Sequence, residues 1–196
     1  MAEQTEPKRS EHSAQQANNE AHSHWTVLSA DSSVAEVTPQ GHLNIPGIND
    51  RTAGSTQVAA NLIAMAPGAK AKGHVHLRHE SVILVLYGHA VTFMGPKQTP
   101  TFQGPGDWLF IGMGVEHLPA NLSEEEPVIA TVFRADPKFI ESLELRPYID
   151  AIAENLLPAL RAQHAAGTLS GSGQEYELSI APLLERYRDT ILNLQQ

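Results

Sequence analysis

Two histidines one residue apart, His74 and His76, are the residues of this sequence best suited to metal chemistry. Side chains on a β-strand alternate between its two faces, so on a strand both imidazoles project from the same face and can chelate one ion. Glu80 follows just past a bend, and His117 lies on a later predicted strand. Together they could supply three nitrogens and one oxygen, a donor set suited to a divalent transition metal.

Glycines and an asparagine surround these histidines at distinctive spacings: Gly68, Gly88, Gly106, Gly114 and Asn121. With the histidines, they resemble the two sequence motifs of the cupin superfamily, although Gly112 stands where that family usually has proline. The resemblance covers residues 59–136. It implies an all-β fold, an antiparallel β-barrel of the jelly-roll type, in which both motifs contribute ligands to one metal ion.

The glutamate position of the first motif is ambiguous in this sequence. Counting forward from His76 places Glu80 there, whereas counting back from Gly88 places Ser81 there. We favour Glu80, because serine is a poor ligand for a divalent ion and a β-bulge at the bend can absorb one residue. His79 is the rival fourth ligand. If none of them reaches the ion, the resemblance also allows a three-histidine site of the kind found in thiol dioxygenases.

Length and composition limit the other possibilities. The 196 residues suit one domain with appendages, and 41% hydrophobic residues are enough to build a core. The chain has no cysteine, which excludes disulfides, thiolate ligands and cysteine catalysis. Any metal ion must therefore be bound by nitrogen and oxygen atoms.

The charge balance argues against two classes of partner. The formal net charge is -9 with only 13 lysines and arginines, so we expect neither nucleic acid nor an anionic membrane as a partner. Residues 1–24 are polar, lack the apolar core of a secretory signal and predict a disordered tail. The longest apolar stretch, residues 82–86, is too short to span a bilayer. We therefore expect a cytoplasmic protein.

Short β-branched segments separated by glycine and proline predict a β-barrel domain over residues 25–136. Turns are expected at Pro39 and at Pro46. The apolar segment 82–86 predicts a strand that is buried on both faces. The predicted strands are 25–28, 34–38, 56–65, 73–76, 82–86, 90–94, one near 101–102, 108–111 and 128–134.

The pattern changes after Asp136, and residues 137–196 predict a helical extension with a pair of α-helices. The first carries an apolar stripe and is expected to be interrupted or kinked at Pro158. The second spans residues 177–194 after a glycine-rich linker. The predicted stripe comprises Ile149, Ile152, Ala153, Leu156 and Leu160.

Four further residues are candidates for binding a substrate. Lys72 shares strand parity with the histidines, and the guanidinium of Arg134 suits a carboxylate. Trp108 and Phe93 are candidates for an apolar pocket wall. Asn121 is expected to brace its turn through backbone hydrogen bonds, and Glu116 is expected to be exposed.

The resemblance implies a metal-dependent enzyme acting on a small organic molecule, most simply a dioxygenase. Fe(II) or Mn(II) is the favoured ion, and Ni(II), Zn(II) and Cu(II) are also compatible with imidazole and carboxylate ligands. A non-redox lyase or isomerase is the alternative within the enzymes. A cupin that binds or senses a small ligand without turnover is the alternative outside them. A homodimer is expected from the resemblance and from the apolar helical stripe.

Overall fold

The computed structural model of the chain describes residues 26–30, 33–139 and 142–169. Within these residues the chain forms eleven strands and two helices. The strands are β1 Glu36–Val37, β2 Leu43–Ile48, β3 Ala59–Met65, β4 His74–His76, β5 Ser81–Tyr87, β6 Ala90–Met94, β7 Thr99–Gln103, β8 Trp108–Ile111, β9 His117–Asn121, β10 Val128–Arg134 and β11 Leu143–Leu145. The helices are α1 Asp50–Ala53 and α2 Pro147–Ala165.

The strands build two antiparallel sheets. One has six strands in the order β1-β2-β3-β10-β5-β8, and the other has five in the order β11-β4-β9-β6-β7. Neighbours in each sheet are mostly distant in sequence, as in a jelly roll. The predicted antiparallel jelly-roll fold is confirmed, and β6, β8 and β10 have the predicted bounds.

Three elements depart from the predicted pattern. Residues 26–28, the described part of the strand predicted over 25–28, form no strand. The turn expected at Pro46 is instead an irregularity inside β2, where the register with β3 shifts between Ile45 and Ile48. A bulge lets proline and glycine occur within a strand, because the backbone there makes no regular ladder. β11 lies in the segment predicted to be helical, and it pairs with β4.

Strand β3 alternates strictly between the inner and outer faces of the six-stranded sheet. In β3 every second residue is buried, and Ile63 points inward with Ala59 and Met65. β5 was expected to be buried on both faces, but Leu86 is exposed and Val82 and Leu84 are only partly covered. The outer face of this sheet is therefore apolar and open among the described residues.

Helix α2 closes the other side of the five-stranded sheet. Ile149, Ala153 and Leu157 are buried one helical turn apart and pack against a core of strand residues that includes Val91 and Leu118. The predicted stripe was right in period but wrong at Leu156, which is 40% exposed, whereas Leu157 is 3% exposed.

The helix is not interrupted at Pro158. A proline inside a helix removes one backbone hydrogen bond and leaves the carbonyl four residues earlier without its usual donor. Here both Pro158 and Glu154 lie on the exposed face of α2. Water can therefore bind that carbonyl, and the helix continues to Ala165.

The start of α2 lies directly against the strand that carries the two histidines. The backbone N–H of Arg146 donates to the carbonyl of Gly73 at 2.6 Å. A Cβ at Gly73 would lie 2.6 Å from the carbonyl oxygen of Arg146 and from Cβ of Ile149. Only glycine allows this approach. The described part of the extension 137–196 thus shares a core with the barrel predicted over 25–136.

Three expectations fall outside the described residues: the tail over 1–24, the second helix over 177–194 and most of the glycine-rich linker before it. In the part of the chain that the structure describes, no helix has both the length and the apolar composition needed to cross a membrane.

Candidate metal centre

Three buried histidines meet where β4 and β9 pair. His74 is the register partner of His117, and His76 lies two residues further along β4, on the same face. Their rings are close, with centroids 4.2 Å apart for His74 and His117, 5.2 Å for His74 and His76 and 5.6 Å for His76 and His117. One ligand nitrogen from each ring lies within 4.8 Å of the others.

Backbone carbonyls fix the orientation of two of these rings. Nδ1 of His74 lies 2.8 Å from the carbonyl oxygen of Lys72, and Nδ1 of His117 lies 2.8 Å from that of Val115. A carbonyl only accepts, so each Nδ1 carries the proton and each Nε2 keeps a free lone pair. Nε2 of His76 is buried and has no hydrogen-bond partner among the described residues.

The surroundings keep these imidazoles neutral. Burial lowers the pKa of His74 well below its ordinary value and lowers the pKa of His117 to about 4. Burial, together with the nearby charge of Arg134, lowers the pKa of His76 to about 2. A neutral imidazole is the form that binds a metal ion. The three nitrogen donors therefore fit a divalent ion. The buried Nε2 of His76, which has no hydrogen-bond partner among the described residues, agrees with this fit, because a bound ion would occupy its lone pair.

Glu80, predicted as the fourth ligand, does not join this group. Its side chain is exposed and lies outside the cluster of ligand atoms. The rival His79 is also directed elsewhere, with Nδ1 2.8 Å from Oγ of Ser142 and 3.6 Å from Oδ2 of Asp136. β5 begins at Ser81, which shares the inward parity of Val85 and is 2% exposed. Ser81 therefore occupies the inward position, which is the position that counting back from Gly88 assigns to it.

A small cavity of about 30 Å³ adjoins His74 and His117 inside the barrel. Its lining is Gln40, His42, Ile63, His74, Ser81, Ile83, Thr92, Ile111, His117, Pro119, Val132, Arg134 and Phe139. Arg134 is buried, donates from Nε to Oγ of Ser81 at 3.0 Å, and also donates to the carbonyl of Phe139. Its guanidinium lies over the Phe139 ring, 4.3 Å from the centroid. A larger cavity of about 120 Å³ lies elsewhere, beside β1 and Arg51.

Of the four candidates for substrate contact, only Arg134 lies in the cavity wall. Lys72 is exposed, because β4 begins after it and strand parity does not extend back to it. Trp108 is 64% exposed on the outer face of β8 and stacks on Phe133.

Phe93 is fully buried but faces away from the cavity. Its neighbour Thr92 lines the cavity, so the alternation of β6 turns Phe93 toward the core beneath α2. Asn121 braces its turn as expected, with Nδ2 donating to the carbonyls of Ala66 and Glu126. Glu116, expected to be exposed, is partly buried and pairs with Arg146 at 2.8 Å.

Sequence reasoning missed two cavity residues, Gln40 and His42. Both belong to a segment that looks like an ordinary turn, with proline before it and Gly41 inside it. No local pattern marks them, because only the contact of the segment with Lys72, just before β4, brings them to the cavity. The backbone N–H of Lys72 donates to the carbonyl of Gln40 at 2.7 Å.

Comparison with known proteins finds likeness in structure only. No protein-family model matches the chain. No curated protein is similar to it in sequence.

Three solved structures illustrate the likeness. A Klebsiella pneumoniae protein described as uncharacterized, with a double-stranded β-helix domain, is 20% identical, has a TM-score of 0.50, and matches over 67% of this chain and 99% of its own. The polyketide cyclase RemF from Streptomyces resistomycificus is 18% identical over 56% of this chain and 78% of its own, with a TM-score of 0.51. Oxalate decarboxylase from Lactobacillus farciminis is 16% identical over 68% of this chain and 41% of its own, also with a TM-score of 0.51. Such likeness establishes the fold alone.

Proposed function

We propose that this chain, which has the cupin fold, is a metal-dependent enzyme acting on a small organic molecule, with the ion bound by His74, His76 and His117. The observation that carries the proposal is the convergence of three neutral, buried imidazoles beside a cavity. The buried Nε2 of His76, which has no hydrogen-bond partner among the described residues, supports a bound ion.

The surrounding residues would divide the remaining tasks. The carbonyls of Lys72 and Val115 hold the rings of His74 and His117 in one tautomer, as second-shell acceptors do at metal sites. Arg134 supplies a buried positive charge that can orient an anionic part of the substrate. Ile63, Ile83 and Val132 form an apolar part of the wall, which favours exclusion of bulk water.

A divalent ion supplies Lewis-acid chemistry and, if redox-active, electron-transfer chemistry next to the cavity. For the reaction we propose a dioxygenase, with Fe(II) or Mn(II) as the favoured ion. Three imidazoles also suit Ni(II), Zn(II) and Cu(II), and affinity alone follows the Irving–Williams order. The choice therefore rests on measurement of the bound metal.

A non-redox reaction is the second candidate. It is favoured by two structural neighbours whose names denote ring closure and loss of carbon dioxide, the polyketide cyclase and the oxalate decarboxylase. A lyase or isomerase of this kind would need the ion only to polarise a carbonyl or stabilise negative charge. Oxygen consumption by the Fe(II)-loaded protein with candidate substrates separates the two reactions, because only the dioxygenase uses O2.

The proposal is tested first by metal content. We would purify the untagged protein, quantify bound Mn, Fe, Ni, Cu and Zn by mass spectrometry, and repeat the measurement on His76→Ala and on the control His79→Ala. Near-stoichiometric metal in the wild type and in His79→Ala, with loss in His76→Ala, is the expected result. If the wild type binds no metal even after anaerobic reconstitution with each ion, the metalloenzyme proposal fails and a ligand-binding cupin remains.

A further inference from the structure

Two polar side chains that line the cavity each have one buried atom without a hydrogen-bond partner among the described residues. Gln40 is 3% exposed, and its Oε1 has no hydrogen-bond partner in the described part of the chain. The same holds for Nδ1 of His42. Both residues line the cavity with His74 and His117. A buried polar atom left unpaired costs about 1–3 kcal/mol, so two of them on one wall indicate a ligand that pairs with them.

The backbone holds this pair rigidly. The segment forms a tight turn in which the N–H of Gly41 donates to the carbonyl of Thr38 at 2.9 Å. The N–H of Thr38 in turn donates to the carbonyl of His42 at 2.9 Å. The carbonyl of Gln40 accepts from Lys72, whose own carbonyl orients His74. Gln40 and His42 are thus positioned by the same short stretch of chain that positions a metal ligand.

The charged residues of the cavity wall indicate the charge of the ligand. Among the described residues that line the cavity, Arg134 is the only one with a permanent charge, and none is an aspartate or glutamate. The guanidinium is fixed by Ser81 and Phe139 rather than by a carboxylate in the cavity. An anion that enters would meet one buried cation in the wall, and the buried carboxylate whose charge acts on that cation, Asp136, is not a lining residue.

We propose that this site takes a small hydroxycarboxylate, with the carboxylate bound to Arg134 and the hydroxyl donating to Oε1 of Gln40. His42 completes the wall, because an imidazole nitrogen can accept from the hydroxyl or donate to the carboxylate. The assignment rests on the proposed function, since it takes this molecule as the substrate. It names Gln40 and His42 as specificity residues.

The cavity as it stands holds only part of such a molecule. A volume of about 30 Å³ has room for roughly two water-sized groups, which is the space needed by a carboxylate or by a hydroxyl with its carbon. The rest of a larger substrate would have to extend toward the histidines or the barrel opening. Among simple probes, glycolate carries both groups, acetate lacks the hydroxyl, and glycolamide lacks the charge.

Calorimetric titration with these three probes tests the inference. We would use the protein reconstituted with Zn(II), which is redox-inert, after measuring its metal content. Glycolate should bind at least about fivefold more tightly than acetate, the gain expected from one good hydrogen bond. It should also bind more tightly than glycolamide, because only the anion pairs with Arg134. Equal affinities for glycolate and acetate would overturn the inference, and so would equal affinities for glycolate and glycolamide.

A matched pair of variants distinguishes two sources of the preference for glycolate: the hydrogen bond to Gln40 and chelation of glycolate by the metal ion. In Gln40→Leu, the affinity for glycolate should fall to that for acetate. The control Gln98→Leu removes another buried glutamine, outside the cavity, whose Oε1 has no partner in the described ranges of the chain. This variant should keep the wild-type preference. A preference for glycolate that persists in Gln40→Leu would assign it to the ion and overturn the role of Gln40.

The two proposals fail in different measurements. The cavity residues belong to the chain itself, so the metal-free protein should keep a weaker preference for glycolate over acetate. Absence of bound metal with this preference intact would overturn the metalloenzyme alone. Stoichiometric metal without any preference would overturn the hydroxycarboxylate assignment alone.

Discussion

At the scale of single residues, the alternation of side chains along β5 decides which residue after His76 points toward the metal site. Glu80 and Ser81 are neighbours, and the first residue of β5 decides which of them points inward. Ser81 does, and its Oγ accepts from Arg134 instead of binding an ion. A chemically better ligand next to the inward position does not replace it, because a one-residue shift in a strand reverses the face of every side chain.

Ser81→Ala should therefore lower the free energy of unfolding without removing the metal. The substitution leaves Nε of the buried Arg134 without its acceptor, which costs about 1–3 kcal/mol. The exposed neighbour gives the matched control, and Glu80→Ala should change neither stability nor metal content. Urea unfolding and metal analysis measure both quantities. Loss of metal in Glu80→Ala would show that the carboxylate does reach the ion.

At the scale of elements, α2 supports the site from behind. It packs on the face of β6 and β9 opposite to the cavity, and its N-terminal end contacts Gly73 just before the first histidine. Arg161, on the last turns of the helix, donates to the carbonyls of Asn121 and Gly68. The helix thus fixes the backbone of both histidine-bearing strands without contributing a residue to the cavity lining.

Adjacent leucines of α2 should respond very differently to truncation. Leu157→Ala should lower the free energy of unfolding by about 2–4 kcal/mol, because it opens a cavity in the core beneath the helix. Leu156→Ala removes an exposed side chain and should cost less than about 0.5 kcal/mol. Chemical denaturation of both variants checks this. Equal effects would mean that α2 docks with a different face.

At the scale of the whole molecule, the outer face of the six-stranded sheet is apolar and exposed. Trp108 and Phe110 on the edge strand β8 continue the surface formed by Phe133 and Leu86, and Trp108 stacks on Phe133. Contiguous apolar surface of this kind is typical of interaction sites. A largely apolar sheet face suits a second copy of itself across a twofold axis.

We expect a homodimer through this face. Phe110→Glu should convert the dimer to a monomer, because it would bury a charge against the partner. Light scattering after gel filtration measures the mass of both proteins. Tyr148→Glu is the matched control, since Tyr148 is also exposed and aromatic but lies on α2. A monomeric wild type, or a dimer unaffected by Phe110→Glu, contradicts this prediction.

The metal-free protein should lose stability in mild acid. Burial lowers the pKa of His42 and His117 to about 4 in the folded chain, from an ordinary value of 6.5. Between these values the unfolded chain binds more protons than the folded one, so the free energy of unfolding falls as the pH falls. Urea unfolding with a chelator at about pH 7 and about pH 5 measures the loss. His42→Asn should make the dependence shallower, and an unchanged dependence would contradict this.

The amino-acid sequence by itself determined the fold and the three histidines. Alternating strands between glycine and proline turns predict an antiparallel barrel, and the His74-x-His76 pair points to one face whatever surrounds it. These features are local, because they depend on the alternation of side chains along one strand and on the residues preferred in turns. They can be predicted without knowing which strands pair.

The rest was decided by contacts between distant segments. The inward place of Ser81 depends on where β5 begins against β10, and the roles of Gln40 and His42 depend on the hydrogen bond from Lys72 to the turn. Phe93 and Leu156 were misjudged because the packing of α2, not the apolar nature of a residue, decides which side is covered. Register and packing arise only when the chain is folded, so the sequence identified the metal-binding chemistry and the tertiary structure determined what lies around it.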